Sequence, residues 1–216
     1  MKKLTKQYKY IIFDFDGTIN NTAPGIYATF TKVLEHYGVD ASKLDLSEHI
    51  GPPLTDSYTR LLGADRCNEA IELHKKVYDE LNAIENSFLY DGVRDVLERL
   101  KASGKYVLSI ASSKYQPHAL TSLKYHKLEK YFSYVYGQTE QRGFKAEVLR
   151  QLICDNGFDV DQCLMIGDTL HDVDGAHANG IDVVAVTYGF GKREELEHAN
   201  VIALIDTPEE ILDLLL

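Results

Sequence analysis

Tyr10-Ile11-Ile12-Phe13-Asp14-Phe15-Asp16-Gly17-Thr18 opens as an apolar run and closes on two carboxylates, a glycine and a hydroxyl. A short apolar run bounded by a turn signal reads as a strand buried on both faces. Side chains alternate along a strand, so Asp14 and Asp16 share a side and Phe15 faces the other way. Two carboxylates at the end of a buried strand are costly unless a cation meets them. Beside a Gly-Thr turn they form the kind of oxygen donor set that Mg²⁺ takes.

Outward from this stretch the texture is first helical and then alternating. Pro24 starts a helix that carries Ile26, Phe30, Val33 and Leu34 at helical spacing, and Gly38 ends it. Residues 20 to 87 contain no strand-like run. Gly51-Pro52-Pro53 breaks the chain, and a helix restarts at Leu54. A long polar helix over Arg66–Ile84 presents Ala70, Leu73, Val77 and Leu81 as its apolar stripe. From Tyr90 onward, apolar runs alternate with helical segments: Tyr106–Ala111, Tyr134–Tyr136, Cys163–Ile166, Val183–Val186 and Val201–Ile205 are the runs. The helices between them are expected over Val93–Ala102, Pro117–Tyr125, Lys145–Asn156 and Asp172–Asn179. That alternation predicts an α/β fold: a parallel Rossmann-like sheet with helices on both faces. A core of residues 1–19 and 88–216 carries the sheet, and 20–87 forms a small α-helical insert after the first strand.

Composition narrows the function. The 216 residues are 44% hydrophobic and 26% charged, which describes a soluble globular chain. Against 33 Asp+Glu stand 23 Lys+Arg, a net charge of -10 that repels a phosphate backbone, so no nucleic-acid partner is expected. Cys67, Cys154 and Cys163 are scattered and form no C-x-x-C pair, which predicts a reduced, cytoplasmic protein without a zinc site. Lys2, Lys3, Lys6 and Lys9 give a basic start, but the apolar run that follows is too short for a signal peptide. No run reaches transmembrane length, so no membrane partner is expected.

The strand ends carry the chemistry. Each main run finishes in small, polar or charged residues: Asp14-Phe15-Asp16, Ser112-Ser113-Lys114, Gly167-Asp168-Thr169, Thr187-Tyr188-Gly189. Open α/β sheets bind ligands at the carboxyl ends of their strands, near the switch in strand order. Asp14, Asp16, Thr18, Ser112, Lys145, Asp168 and Asp172 therefore converge. Crowded carboxylates raise one another's pKa, and a divalent cation removes the conflict. Mg²⁺ with one lysine and backbone N–H groups is equipment for phosphoryl transfer.

Asp14-x-Asp16-Gly17-Thr18, Ser112 after an apolar strand, a lone Lys145, and Gly167-Asp168-Thr169-x-x-Asp172 resemble, in order, the motifs of the haloacid dehalogenase-like hydrolases. The helical insert sits where that superfamily's first type of cap sits. Ile50-Gly51-Pro52-Pro53-Leu54 and Gly189-Phe190-Gly191-Lys192-Arg193-Glu194-Glu195-Leu196 are similar to stretches of its phosphoglycolate phosphatase-like group. The resemblance implies a Mg²⁺-dependent phosphatase of small phosphomonoesters. Asp14 would be the nucleophile and Asp16 the general acid and base. Ser112 and Lys145 would hold the phosphoryl oxygens. Metal ligands would be Asp14, the backbone carbonyl of Asp16, Asp168, and Asp172, the last directly, through water, or by orienting Lys145. Thr18, Ser113, Gly51, Pro52 and Pro53 are expected at the substrate, with the Gly51-Pro52-Pro53 break facing the phosphate. Many relatives carry Asp where Asn21 stands, and Asn or Ser at Ser113. His171 is read as an exposed surface group, and Lys114 and Arg142 as solvated charges with contact to substrate as the alternative.

Other chemistries fit the same fold. Dehalogenation releases no alcohol and does not need Asp16. A phosphomutase or pyrophosphatase shares every motif. A phospho-acceptor module uses Asp, Ser/Thr and Lys as well, but Asp16 and the insert count against it.

Overall fold

The computed structural model describes residues 3–216, so Lys2 of the basic start lies outside the described residues. Contacts divide the chain into two units: the chain up to Asn20 with Leu89–Leu216, and Asn21–Phe88.

The first unit is built on strands β1 (Tyr10–Phe13), β4 (Val107–Tyr115), β5 (Tyr134–Gln138), β6 (Cys163–Gly167), β7 (Asp182–Val186) and β8 (Ala203–Ile205). They form one sheet in the order β5-β4-β1-β6-β7-β8, and every pairing is parallel. Alternation splits the core. Ile11, Phe13, Leu108, Ile110, Leu164 and Ile166 pack under α4 (Val93–Ala102), α5 (Gln116–Tyr125) and α9 (Glu210–Leu215). Ile12, Ala111, Met165 and Val183 face α6 (Lys145–Asn156), α7 (Leu170–His177) and α8 (Arg193–His198). Both faces are thus covered, as an all-parallel sheet requires. The chain leaves β1 toward β4 and β5 on one side and returns to β6 on the other, so β1 is the switch point. Register then sets the site: Phe13 pairs with Ile110 and Ile166, which brings Asp14, Ala111-Ser112 and Gly167-Asp168 to one level.

Two elements differ from the sequence reading where it matters. β4 does not stop at Ala111 but runs to Tyr115. Its pairing with β5 shifts from Ala111↔Tyr136 to Tyr115↔Gln138, so the strand bulges across Ser112-Ser113-Lys114. Such a bulge re-aims side chains at a strand end. Helix α7 starts at Leu170, not Asp172, because Thr169 is its N-cap and Asp172 its third residue. The carboxylate of Asp172 accepts the Thr169 N–H at 3.0 Å, the reciprocal half of a capping box.

The second unit holds α1 (Ala23–His36), α2 (Leu54–Leu62) and α3 (Ala64–Glu80). The stripe expected on α3 is displaced: Cys67, Ala70, His74 and Tyr78 are its buried residues, while Leu73 and Val77 are half-buried. His74 goes inside because Tyr58 meets its Nδ1 at 2.7 Å, and Phe30 packs 5.0 Å from its ring. A buried polar group with its hydrogen bond made costs little. The helix expected to reach Ile84 ends at Glu80, because Asn82 takes a left-handed conformation (φ 46°). The chain crosses between the units at β2 (Asn20–Asn21) and β3 (Phe88–Leu89), which pair as a two-stranded sheet. Two-residue strands carry no periodicity, so the sequence showed none here.

Candidate active site

Asp14 follows β1 and continues its ladder, donating its N–H to the Ile166 carbonyl at 2.9 Å. Its side chain accepts from Lys145 Nζ at 2.5 Å. Lys145 opens α6, and its ammonium also reaches the Ala111 carbonyl at 2.9 Å and Asp172 Oδ1 at 2.8 Å. Two of its donors are spent in hydrogen bonds, to Asp14 and the Ala111 carbonyl, and Asp172 adds an ion pair. Asp168, at the end of β6, is fully buried. Its Oδ1 accepts from Thr18 Oγ1 at 3.0 Å and its Oδ2 from the Phe190 N–H at 2.7 Å. Asp172 Oδ2 accepts from the backbone N–H groups of Asp168 and Thr169 and from Thr169 Oγ1, at 3.0 to 3.1 Å. Carboxylate oxygens of Asp14, Asp168 and Asp172 lie within 4.8 Å of one another.

Burial and the neighbouring carboxylates work against these charges. Burial pushes the Asp14 carboxyl up to about 7, although Lys145 pulls the other way; Asp172 and Asp16 add to the rise. Asp168 is raised by burial, then by Asp172 and Asp14, against the N–H of Phe190 and the hydroxyl of Thr18. Burial pulls the Lys145 ammonium down, and Asp14 with Asp172 more than offsets it, so its pKa lies above the ordinary lysine range.

Asp16 stands apart from the oxygen cluster: its carboxylate is 3.3 and 3.2 Å from Lys114 Nζ. Lys114 is therefore not the solvated charge read from sequence but a residue 9% exposed. The missed signal was its place at the end of an apolar strand, where a bulge turns it inward. Asp14, Asp168 and Asp172 crowd one another more than Lys145 relieves, and such clustered buried oxygens fit a divalent cation.

The remaining expected residues are distributed as follows. Ser112 is buried and its Oγ accepts from the Lys114 N–H at 3.3 Å. The Ser113 hydroxyl is buried without a hydrogen-bond partner among the described residues. Thr18, expected at the substrate, is buried against Asp168. Gly51, Pro52 and Pro53 belong to the helical unit, where the Pro53 carbonyl accepts from Asp56 and Ser57 as α2 begins. Asn21 accepts from the Ala23 N–H at 3.2 Å, at the start of α1. Arg142 is half-buried: it donates to the Gly137 carbonyl at 2.7 Å and lies over the Tyr136 ring. His171 is exposed, as read.

The backbone around Asp168 was not legible as part of the site. A Cβ on Gly17, which holds φ +91°, would overlap the Asp168 carboxylate, and so would one on Gly189. Only glycine lets both segments approach so closely. Tyr188 donates to the Thr18 carbonyl at 3.1 Å, and its ring lies 4.9 Å from that of Tyr90. Burial first and Asp168 second raise both phenols above their ordinary range.

A family model described as haloacid dehalogenase-like hydrolase matches residues 11–186. A "5'-nucleotidase" of Pseudomonas aeruginosa is 33% identical over 201 residues, covering 91% of this chain and 90% of that one. "Tyrosine-protein kinase PtkA" of Mycobacterium tuberculosis is 34% identical over 190 residues, 87% of this chain, which spans 65% of the kinase's length. The solved structure of a haloacid dehalogenase-like family protein from Streptococcus pneumoniae superposes with a TM-score of 0.88 at 29% identity, covering 95% of this chain and 97% of that one.

Proposed function

The chain belongs to the haloacid dehalogenase-like hydrolases, and from that premise we propose that it is a Mg²⁺-dependent phosphatase of small phosphomonoesters that works through an aspartyl-phosphate on Asp14. One observation carries the reading: a buried carboxylate, Asp14, pressed against Lys145 and clustered with Asp168 and Asp172 at the switch point of a parallel sheet. Asp14 Oδ attacks phosphorus while the bond to the leaving oxygen breaks, and Asp16 gives that oxygen a proton. Asp16 then takes a proton from the water that attacks the phosphorus, which releases phosphate and restores Asp14. Lys145 stays with the nucleophile and offsets charge on the phosphoryl oxygens, and Ser112 and the unpartnered Ser113 hydroxyl supply donors. Asp14 and Asp168, with the Asp16 backbone carbonyl, would hold Mg²⁺. Asp172 serves through its grip on Lys145 and Thr169. Bound there, Mg²⁺ supplies charge neutralisation for the carboxylates and for the developing transition state.

The helical unit is proposed as a cap, with Gly51, Pro52 and Pro53 setting the substrate range. Three free cysteines support a cytoplasmic setting. Among the described residues no helix is long and apolar enough to cross a membrane. The test is phosphate release from a panel of phosphoglycolate, nucleoside monophosphates, sugar phosphates and pyrophosphate, with Mg²⁺ and with excess EDTA. Release that needs Mg²⁺ is expected; full release in EDTA would overturn the metal role. The similarity to a protein named a tyrosine kinase favours a second reading, transfer to an acceptor other than water. A phosphorylated product without free phosphate would select it.

A further inference from the structure

The amino ends of the central strands carry the opposite charge pattern to the carboxyl ends. A cavity of about 540 Å³ opens there, lined in part by Lys3, Lys6, Lys9 and Lys105 with Tyr8 and Tyr106. Lys9 directly precedes β1 and Tyr106 directly precedes β4. No aspartate or glutamate lines the cavity among the described residues. In a chain of 33 Asp+Glu and 23 Lys+Arg, four lysines gathered without an acid reverse the overall charge of -10 locally. A concave surface of one sign focuses its field and concentrates ions of the other.

The four lysines are not equivalent. Lys6 is 2.6 Å from Asp182 Oδ2, and Lys3 donates to the Leu216 carbonyl at 2.5 Å. Lys9 lies over the Tyr10 ring at 5.1 Å, and neither it nor Lys105 has an ion pair among the described residues. Both stand on the rigid middle of the sheet. The Lys9 N–H donates to the Gln162 carbonyl, and its own carbonyl accepts from the Val107 N–H, each at 2.9 Å. Tyr10 is opposite Val107, so Lys9 and Lys105 enter adjacent strands, about 4.8 Å apart. Their flexible stems bring two point charges to neighbouring phosphoryl groups, where charge-assisted hydrogen bonds are strong. A single phosphate engages these cations less completely than a chain of phosphates does.

We propose that this cavity is a second anion site, for a small molecule that carries two or more linked phosphates. It lies at the opposite end of the strands from the carboxylate cluster, and the inference is independent of the phosphatase reading.

The experiment is isothermal titration of inorganic tripolyphosphate into the full chain after metal ions have been removed by dialysis against EDTA. One-to-one binding with Kd below about 1 mM is expected at low salt, weakening by about five-fold or more as salt screens the lysines. Orthophosphate is expected to bind about ten-fold more weakly or worse. Lys9→Gln/Lys105→Gln should weaken tripolyphosphate binding by about ten-fold or more, while release of phosphate from small esters stays at the wild-type rate. Lys32→Gln/Lys76→Gln makes the same change of net charge in the helical unit and should leave binding within about two-fold. Absence of binding up to about 5 mM overturns the proposal, and so does equal affinity for orthophosphate and tripolyphosphate. Equal weakening in the two double variants overturns it as well, because general charge would then suffice. Loss of binding in Asp14→Asn would place the anion at the carboxyl end instead. Retention on phosphatidylserine vesicles without tripolyphosphate binding would assign the lysines to a membrane surface and overturn the small-molecule site.

Discussion

Both units bury polar side chains, and they do so under opposite conditions. In the helical unit Tyr58 and His74 meet at 2.7 Å, so each buried ring finds its hydrogen-bond partner within the polypeptide. At the sheet's carboxyl end Asp14, Asp168 and Asp172 crowd one another more than Lys145 relieves. The first arrangement is a structural solution complete in the polypeptide. The second is electrostatically unfinished and calls for a cation from outside. Stability and function are thus separated along the chain, and the two regions should respond differently to the same kinds of change.

The largest contrast is chemical. Asp14→Asn replaces the proposed nucleophile by an amide, and turnover should fall by about 10³-fold or more. Circular dichroism should report an unchanged fold, because the amide removes one of the crowded charges. Wild-type turnover by the purified variant would end the nucleophile assignment.

Next comes pH. Because burial and its neighbours raise Asp14 from 3.8 to about 7, the folded chain holds a proton through that window which the unfolded chain has released. Stability of the metal-free protein is then fully present below the unfolded value and is lost as pH rises through about 7. Asp168 acts in the same direction. A cation needs the deprotonated ligands, so the rise in Tm with saturating Mg²⁺ should be larger at roughly pH 8 than at about pH 5.5, by about 3 °C or more. Equal rises at both would mean that these carboxylates do not meet the ion.

Tyr58→Phe sharpens the other side of the comparison. Loss of the hydroxyl breaks the contact with His74 and should cost about 1 kcal/mol, read as a lower urea midpoint. The Mg²⁺-induced rise in Tm should not change. Smallest is Pro53→Ala, which should shift the ranking of small esters by about two- to five-fold and leave the Mg²⁺ requirement intact. An equal change for every ester would remove Gly51-Pro52-Pro53 from substrate selection.

The difference between the units also explains what could be read from sequence. The sheet was legible because fully buried parallel strands are short apolar runs, and their polar ends stand out against them. Asp14 and Asp168 stand out on that ground, while Lys145, at the start of α6, is pointed to only by the resemblance of the ordered motifs. Lys114 was not legible, since a bulge has no signature in a single sequence and a lysine is ordinarily exposed. The Phe190 N–H was hidden because a backbone donor has no residue identity, although the glycines on either side were in view. Asp172 was read as starting a helix; its place three residues past the N-cap depends on Thr169, whose capping role only the hydrogen bonds reveal. The stripe on α3 was misplaced because Leu and Val outrank His and Tyr in any apolar count. Burial instead followed the partner that Tyr58 provides.

The pairing of Tyr90 with Tyr188 beside Asp168 has an optical meaning. The chain contains 14 tyrosines and no tryptophan, so its near-ultraviolet emission is tyrosine emission with nothing brighter to mask it. These two rings, 4.9 Å apart, have their phenols held in the field of Asp168. A cation that neutralises that field alters the ground state of both chromophores at once. With Mg²⁺ at the proposed site, the pair would serve as an intrinsic, label-free gauge of occupancy, read by ultraviolet difference spectroscopy as Mg²⁺ is titrated in.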